Sequence, residues 1–256
     1  MNTIRRILRD ITVLALLALF LASGNVFAQA TSQEAIDKGI EYGKNGRYDD
    51  AIAQFTKAIE LDPLNASAYY DRGNAYSYKG DFDQVISDCT RAIELDPKFT
   101  EAYTNRGTAY GNKGNYDQAI SDCTRAIELD PNSFDSYGCR GFAYVSKGNY
   151  DQAISDCNKA IELKSSSTPD FIADVYFIRG TAYGTKGDND QAILDFTKSI
   201  GLNPGAGRYY YSRSVVFEAK GDHDKAWADV HKAEQLKYKI DPEFLEDLKK
   251  ASGREK

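Results

Sequence analysis

Histidine is almost missing from this chain: its 256 residues include only two, His223 and His231. Neither has a cysteine or a carboxylate at a spacing that suits a metal site. No serine, histidine and aspartate, and no cysteine and histidine, can be grouped into a nucleophilic centre by any physical argument. We therefore expect no enzyme, no bound metal and no cofactor.

The chain also has no excess of positive charge. The formal net charge is −6, and the first 28 residues contribute three arginines against Asp10, so the remainder is near −8. An acidic surface without a basic block argues against nucleic acid and against anionic lipid as partners.

The N-terminus lacks an apolar run long enough to cross a bilayer. The run Ile11–Ala22 has about a dozen residues, whereas a membrane-spanning helix needs about 20. Arginines precede it, and Val26-Phe27-Ala28 supplies the small-residue pattern that a signal peptidase reads. The pattern predicts a secretory signal peptide over residues 1–28 and a mature chain that begins near Gln29. An uncleaved membrane anchor is the alternative.

Cysteine is scarce, and most of it is periodic. Cys89, Cys123 and Cys157 are 34 residues apart, which favours small buried core residues over disulfide partners. Cys139 lies out of this register. A bond from Cys139 to one neighbour is the only bridge that we expect.

The chain has repetition in abundance. The ten residues Asp122–Pro131 read D-C-T-R-A-I-E-L-D-P, and they recur unchanged at Asp88–Pro97. Most of the preceding residues also recur 34 positions upstream and downstream. A period held this strictly predicts a repeat array in which each unit packs on its neighbours.

One unit predicts a helical hairpin. Tyr103, Arg106 and Tyr110 share one face of a first helix, and Gly114 follows as its left-handed C-cap. A second helix starts at or beside Asp117. It ends before Pro131, because the residue before proline avoids the α region. Its inner face comprises Ala119, Ile120, Cys123, Ala126, Ile127 and Leu129.

This unit resembles the tetratricopeptide repeat, with small, aromatic, Gly, aromatic, Ala, Ala and Pro residues at positions 8, 11, 15, 17, 20, 27 and 32 of its 34 residues. The resemblance implies an all-α fold, a right-handed α-solenoid (superhelix) of about six helix hairpins. The registers are 32–65, 66–99, 100–133, 134–167, 173–206 and 207–240, with a five-residue insertion at 168–172. Thr168 and Pro169 at a helix start would lengthen the next helix by about one turn.

Residues 241–256 predict a capping helix and tail, in which Phe244, Leu245 and Leu248 cover the last hairpin. Five arginines are each followed sixteen residues later by an aspartate, which predicts a ladder of ion pairs along the helix seam. The alternative is a solvated charge at each position. The pairs are Arg72 and Asp88, Arg106 and Asp122, Arg140 and Asp156, Arg179 and Asp195, and Arg213 and Asp229.

The resemblance also implies a concave groove lined by the first helix of each unit. The residues carried over to this groove are Tyr70, Asp71, Asn74, Tyr78, Asn105, Thr108, Phe142, Phe177, Thr181 and Tyr211. Members that clamp a peptide's terminal carboxylates use lysine and arginine there, but here Glu101, Asp135 and Asp174 occupy one of those positions. A segment with aromatic or aliphatic anchors and basic groups fits better. The alternative is that some of the aromatic residues pack between units.

These observations predict a non-catalytic protein–protein interaction scaffold, exported across the inner membrane of a Gram-negative bacterium into the periplasm. Its expected partner is another protein or an extended peptide segment, bound in the groove. The alternative is a structural protein that self-associates through its terminal repeats into a homo-oligomer.

Overall fold

The chain folds into helices joined by short turns. The computed structural model describes residues 29–163 and 168–254, so the predicted signal peptide lies outside the described residues. No strand occurs in these two ranges, and the all-α prediction is confirmed. The helices are α1 (29–44), α2 (Tyr48–Leu61), α3 (Ala66–Lys79), α4 (Phe82–Leu95), α5 (Thr100–Asn112), α6 (Tyr116–Leu129), α7 (Phe134–Ser146), α8 (Tyr150–Leu163), α9 (Pro169–Thr185), α10 (Asn189–Leu202), α11 (Gly207–Ala219), α12 (His223–Gln235) and α13 (Pro242–Ser252).

The helices form two compact units that divide between Ala109 and Tyr110, inside α5. We call them the N-terminal unit and the C-terminal unit. Within each unit, consecutive helices pack against one another: α2 on α3 and α3 on α4 in the first, and every successive pair from α6 to α13 in the second. The predicted solenoid of consecutive helix hairpins is therefore confirmed.

The turn inside each hairpin depends on a glycine. Gly114 has φ +80°, which a side-chain-bearing residue adopts only with strain. The Asn115 N–H then donates to the Tyr110 carbonyl at 2.9 Å, which closes the turn. The N-cap of α6 is Asn115, so Asp117 lies in the first turn and not at the cap itself.

Asp117 has a second role that the sequence analysis did not foresee. Its carboxylate pairs with the Lys147 ammonium at the end of α7. The same contact between the start of one second helix and the end of the next first helix joins three further pairs, Lys79 to Asp49, Lys186 to Asp151 and Lys220 to Asp190. All four lie at the surface.

The cores are built from small residues with few large ones. Ala51, Ala58 and Ala68 pack with Phe55 in the N-terminal unit. In the C-terminal unit, the largest cluster surrounds Trp227, whose indole N–H donates to the Ser252 hydroxyl of α13 at 3.0 Å. This cluster also contains the residues predicted to cover the last hairpin: Leu248 is fully buried, and Phe244 and Leu245 are partly buried.

Helix α9 is longer than the other first helices. It has 17 residues, against 13 in α7, with Thr168 as its N-cap and Pro169 at the first helical position. The predicted extension by about one turn is confirmed.

The ladder of arginine and aspartate lies along the seam between first and second helices. In α9 and α10, the Arg179 Nε and Nη2 atoms donate to the two Asp195 carboxylate oxygens at 2.8 and 2.7 Å. Arg72, Arg140 and Arg213 bind their aspartates in the same two-bond geometry. The aspartates of these four pairs are buried, so the ladder is confirmed and the solvated alternative is wrong for these pairs.

Each arginine also reaches back to the preceding hairpin. Its Nη1 atom donates to a side chain there: Thr56 for Arg72, Thr90 for Arg106, Thr124 for Arg140, Asn158 for Arg179 and Thr197 for Arg213. A single guanidinium therefore ties its own hairpin together and fixes the position of the one before it.

A disulfide adds a covalent link in the C-terminal unit. Cys123 of α6 and Cys139 of α7 are bonded, with their Cα atoms 6.4 Å apart. The expected bond from Cys139 is thus present, and it corrects the interpretation of Cys123 as a core residue outside any disulfide. Cys89 and Cys157 are buried and lie outside this disulfide bond, as predicted.

Replacing Asp195 with alanine should destabilise the protein strongly, because Arg179 would keep its charge in a largely buried position without its partner. We expect a loss of about 3 kcal/mol, the lower end of the range for one member of a buried pair. The measurement is urea denaturation followed by circular dichroism.

The matched control is Asp190→Ala on the same helix, which removes the exposed pair with Lys220 and an acidic residue from the first turn of α10, and it should cost about 1 kcal/mol. Equal losses for the two variants would mean that the ladder is not a buried interaction.

Removing the disulfide should also lower stability, because it closes a loop of 16 residues. We expect Cys139→Ser to lose about 3 kcal/mol. Dithiothreitol should lower the melting temperature of the wild type to that of the variant and leave the variant unchanged. A wild-type melting temperature that ignores dithiothreitol would contradict a stabilising role for the bond.

Candidate functional site

A depression in the N-terminal unit collects three of the predicted groove residues. Asp71, Asn74 and Tyr78 lie on one face of α3, because residues three and four positions apart share a helix face. Together with residues of α1 and α2 they line a depression of about 490 Å³. The residues that matter most for its chemistry are Gly43, Lys44, Tyr48, Asp71, Asn74 and Tyr78.

Two glycines of α1 explain why the space is there. A Cβ atom on Gly39 would lie 2.6 Å from the Phe55 ring, so this glycine lets α1 approach α2 closely. A Cβ atom on Gly43 would meet no heavy atom of a neighbouring element within 4 Å among the described residues. Gly43 therefore leaves one wall of the depression without a side chain.

A pair of tyrosines forms another wall. The rings of Tyr48 and Tyr78 stack with their centroids 4.8 Å apart and their planes 3° apart. Tyr78 is 67% exposed although it is a large aromatic side chain. Exposed, mutually supported rings of this kind offer a rigid apolar surface to a ligand.

Asp71 gives the depression its electrostatic character. Its carboxylate makes no hydrogen bond or ion pair within residues 29–163 and 168–254. Burial raises the pKa of Asp71 to about 6. A carboxylate that has lost water without gaining a cation or a donor is destabilising to the free protein.

The other predicted groove residues of the N-terminal unit have different surroundings. The Tyr70 ring packs against Phe99 at 5.0 Å. Thr108 is exposed, and its hydroxyl donates to the Thr104 carbonyl. The Asn105 Nδ2 atom is buried without a hydrogen-bond acceptor among the described residues. A buried donor of this kind is rare in a native protein.

The C-terminal unit has a second depression, of about 330 Å³. Thr181, which the sequence analysis selected, lies in its lining. Its other lining residues are neutral, and they include Thr185, Asn189, Ser212, Val215 and Val216. The surface suits an uncharged aliphatic or hydroxyl-bearing group.

The three aromatic groove residues of the C-terminal unit fall into two classes. Phe142 is 39% exposed, and its ring covers the backbone of Gly111. Phe177 packs between Phe196 and Tyr209, with centroid distances of 5.7 and 5.3 Å.

Tyr211 resembles Phe177, because its ring lies against Tyr238 and Phe244. The alternative that some aromatic residues pack between hairpins therefore describes Phe177 and Tyr211, while Phe142 offers an open ring.

Asp174 is not an open acidic site. Its carboxylate accepts hydrogen bonds from the Arg208 guanidinium and from the Tyr209 hydroxyl. Burial is the main reason that the pKa of Tyr209 rises to about 12. Arg208 also lies over the Phe177 ring at 5.6 Å. The Asp174 carboxylate thus has a cationic partner, whereas Asp71 has none among the described residues, although both were predicted on the groove face.

Sequence reasoning missed the contribution of α1. Gly43 and Lys44 occupy positions 12 and 13 of the first predicted unit, and Tyr78 occupies position 13 of the next. The sequence signal was present, because Lys44 holds the same place in the first predicted repeat as Tyr78 holds in the second. Tyr48 could not be selected in this way because it belongs to a second helix.

Two negative findings concern the described residues. No group of three or more histidine, cysteine, aspartate or glutamate side chains is placed to hold a metal ion. None of the helices there combines the length and the apolar character that crossing a membrane requires.

Sequence models of the tetratricopeptide repeat match three consecutive segments, residues 66–99, 100–133 and 134–167. Related models match residues 39–80 and 173–205. Together these segments cover more than half of the chain. The chain belongs to the tetratricopeptide repeat family. No curated protein sequence matches it.

Solved structures agree with this assignment of a tetratricopeptide repeat protein. MamA is 30% identical, with a TM-score of 0.53 over 64% of this chain and 94% of its own. YrrB, described as a tetratricopeptide repeat protein with an unusual peptide-binding site, is 25% identical, with a TM-score of 0.53 over 71% of this chain and 91% of its own.

A more distant match shows the fold alone. A chain of the Cut9–Hcn1 hetero-tetramer of the APC/C is 20% identical, with a TM-score of 0.77 over 90% of this chain. This tetratricopeptide repeat protein spans 46% of that longer chain.

Replacing Asp71 with asparagine should stabilise the protein at neutral pH. The pKa of Asp71 is higher in the folded protein than the ordinary 3.8, so its charge disfavours folding above pH 6. This penalty disappears as the pH falls below about 4, where the carboxyl is protonated in both states. The raised pKa, at 1.36 kcal/mol per unit, sets an upper limit of about 3 kcal/mol, and solvent screening reduces it.

The measurement is the difference in unfolding free energy between Asp71→Asn and wild type at pH 7.5 and at pH 4. Glu60→Gln, on the exposed face of α2, is the control and should change little at either pH. A gain for Asp71→Asn that is the same at both values would show that the charge is not responsible.

Proposed function

We propose that this tetratricopeptide repeat protein is an exported, non-catalytic scaffold that binds an extended segment of another protein along the inner faces of its first helices. The observation that carries the proposal is the depression of the N-terminal unit. It combines a carboxylate at Asp71 that has no partner among the described residues with the exposed ring of Tyr78.

The polar groups support a polypeptide as the ligand. Asn74 offers a side-chain amide beside Asp71 that can donate to a main-chain carbonyl of the segment. An extended segment has regularly spaced carbonyl and N–H groups, so main-chain contacts can give affinity while pockets select side chains. The peptide-binding site named for YrrB supports the same class of ligand.

The depression of the C-terminal unit fits a different side chain. Its threonine, serine and valine lining carries no charge and suits an aliphatic anchor. Each unit thus has a recognition surface of its own chemistry.

The proposed location rests on two observations. The N-terminal arginines, the apolar run and Val26-Phe27-Ala28 have the order of a signal peptide. The disulfide between Cys123 and Cys139 suits an oxidising compartment such as the bacterial periplasm.

Site-specific photo-crosslinking tests the proposal. A benzophenone amino acid is placed at Tyr78, at Val215 or at Leu64 in the full chain, which is expressed in a Gram-negative bacterium. Leu64 is the control, because it is 72% exposed but lies in the loop between α2 and α3, outside both depressions. We expect the same polypeptide to be captured from Tyr78 and Val215 and not from Leu64.

The captured species also distinguishes the alternatives. The mass of the chain in the adduct should show an N-terminus near Gln29 if the signal peptide is removed. Adducts between two copies of this chain would overturn the scaffold in favour of self-association. Capture only from Leu64 would mean that the first-helix faces are not the binding surface.

A further inference from the structure

The unpaired negative charge of Asp71 determines which kinds of ligand group the depression can bind. A bound anion would be repelled by this carboxylate, and an apolar group would leave it without a partner. A cation bound there would replace the lost water with a charge-assisted hydrogen bond. A metal ion would need further ligands, and no such group occurs among the described residues.

The side chains that line the depression indicate what form the cationic group should have. Tyr48 and Tyr78 offer an apolar aromatic surface beside the carboxylate, so the ligand should combine an aliphatic stem with a charged end. Lysine and arginine side chains have this form. Aromatic faces also attract ammonium and guanidinium groups directly.

We propose that this depression is a specificity pocket for one lysine or arginine side chain of the bound polypeptide, with Asp71 receiving the charged end and Tyr48 and Tyr78 contacting the stem. The assignment rests on the proposed scaffold function and names the chemical class of its ligand.

Gly43 and Lys44 define how the side chain enters. Gly43 leaves one position of the α1 wall without a side chain, so the stem can pass α1 there. Lys44 lines the same depression and forms no ion pair within the described residues. Its ammonium repels an entering cation, which favours a ligand long enough to reach Asp71.

Binding should depend on pH in a defined direction. Below its pKa of about 6, Asp71 is increasingly neutral and no longer attracts a cation. The other titratable groups that line the depression are Lys44 on α1, Tyr48 on α2 and Tyr78 on α3. Lysine and tyrosine side chains ordinarily titrate far above this range, so the change between pH 7.5 and 5 belongs to Asp71.

Four matched peptides test the proposal. Each is an acetylated, amidated heptapeptide of glycine and alanine with lysine, arginine, citrulline or norleucine at its centre. Binding to the purified protein and to each variant is followed by NMR, through the backbone amide resonances of the residues that line the depression. We expect the lysine and arginine peptides to bind at least tenfold more tightly than the citrulline and norleucine peptides at pH 7.5.

Variants of the protein distinguish the effect of the Asp71 charge on peptide binding from the effect of the space beside Gly43. Asp71→Asn should abolish the preference for cationic peptides, whereas Glu60→Gln makes the same charge change on the exposed face of α2 and should leave it intact. Gly43→Leu should weaken binding of all four peptides, because it fills the open wall. Lys44→Ala should strengthen binding of the cationic peptides. Wild-type affinity for the lysine peptide should fall about tenfold from pH 7.5 to pH 5, given the population of charged Asp71.

Equal binding of the lysine and norleucine peptides would overturn the proposal, and so would equal losses in Asp71→Asn and Glu60→Gln. These results are distinct from failure of the scaffold function. A shared crosslinked partner at Tyr78 and Val215, with no preference among the peptides, would retain the scaffold and reject the cation pocket. A clear preference without any crosslinked partner would retain the pocket and reject the scaffold.

Discussion

The close approach of helices at each hairpin seam is the constraint on which this structure depends. Ala51, Ala119, Ala153 and Ala192 stand at the same point of α2, α6, α8 and α10, Val85 stands there in α4, and all five are fully buried. Glycines on the facing first helices leave no room to spare: a Cβ on Gly141 would lie 3.0 Å from the Cys157 sulfur. Small residues bury little apolar area each, so stability comes from stacking many hairpins.

The arginine and aspartate pairs give this tight seam its register. A seam of small apolar residues alone would tolerate sliding of one helix along the other. A bidentate guanidinium and carboxylate pair has one good geometry, and the added bond to the preceding hairpin fixes a second. Arg140, for example, binds both Asp156 in its own hairpin and Thr124 in the one before. A buried pair of this kind contributes more to a unique arrangement than to net stability.

The hairpins and the ladder were predictable because they recur. An arginine followed by an aspartate at the spacing of Arg179 and Asp195 occurs five times. This recurrence at one repeat position predicts the same ion pair in every hairpin. The pairing of Lys147 with Asp117 recurs as well, yet an acidic residue at a helix start already has an explanation in the helix dipole. Because the helix dipole already explained Asp117, its contact with Lys147, 30 positions away, was not predicted.

The site was less predictable because its residues depart from the repeat. Phe142 and Phe177 were both assigned to the first-helix face, but Phe196 and Tyr209 cover only Phe177. Likewise, Asp174 has Arg208 as a partner, and Asp71 has no cation among the described residues. Whether a side chain on this face stays exposed depends on particular residues of the neighbouring helices. The family pattern does not specify these residues.

Asp71 is therefore informative in a way that the repeat pattern is not. Position for position, the array satisfies its buried charges: Asp88, Asp156, Asp195 and Asp229 all have guanidinium partners. Asp71 differs from these aspartates: among the described residues its half-buried carboxylate has no cationic partner, and it lies next to a glycine and two stacked tyrosines. Asparagine there would preserve the shape and remove the unfavourable charge. The lysine or arginine side chain proposed to bind there would supply the missing cation, so the proposal gives the unfavourable charge of Asp71 a role in binding.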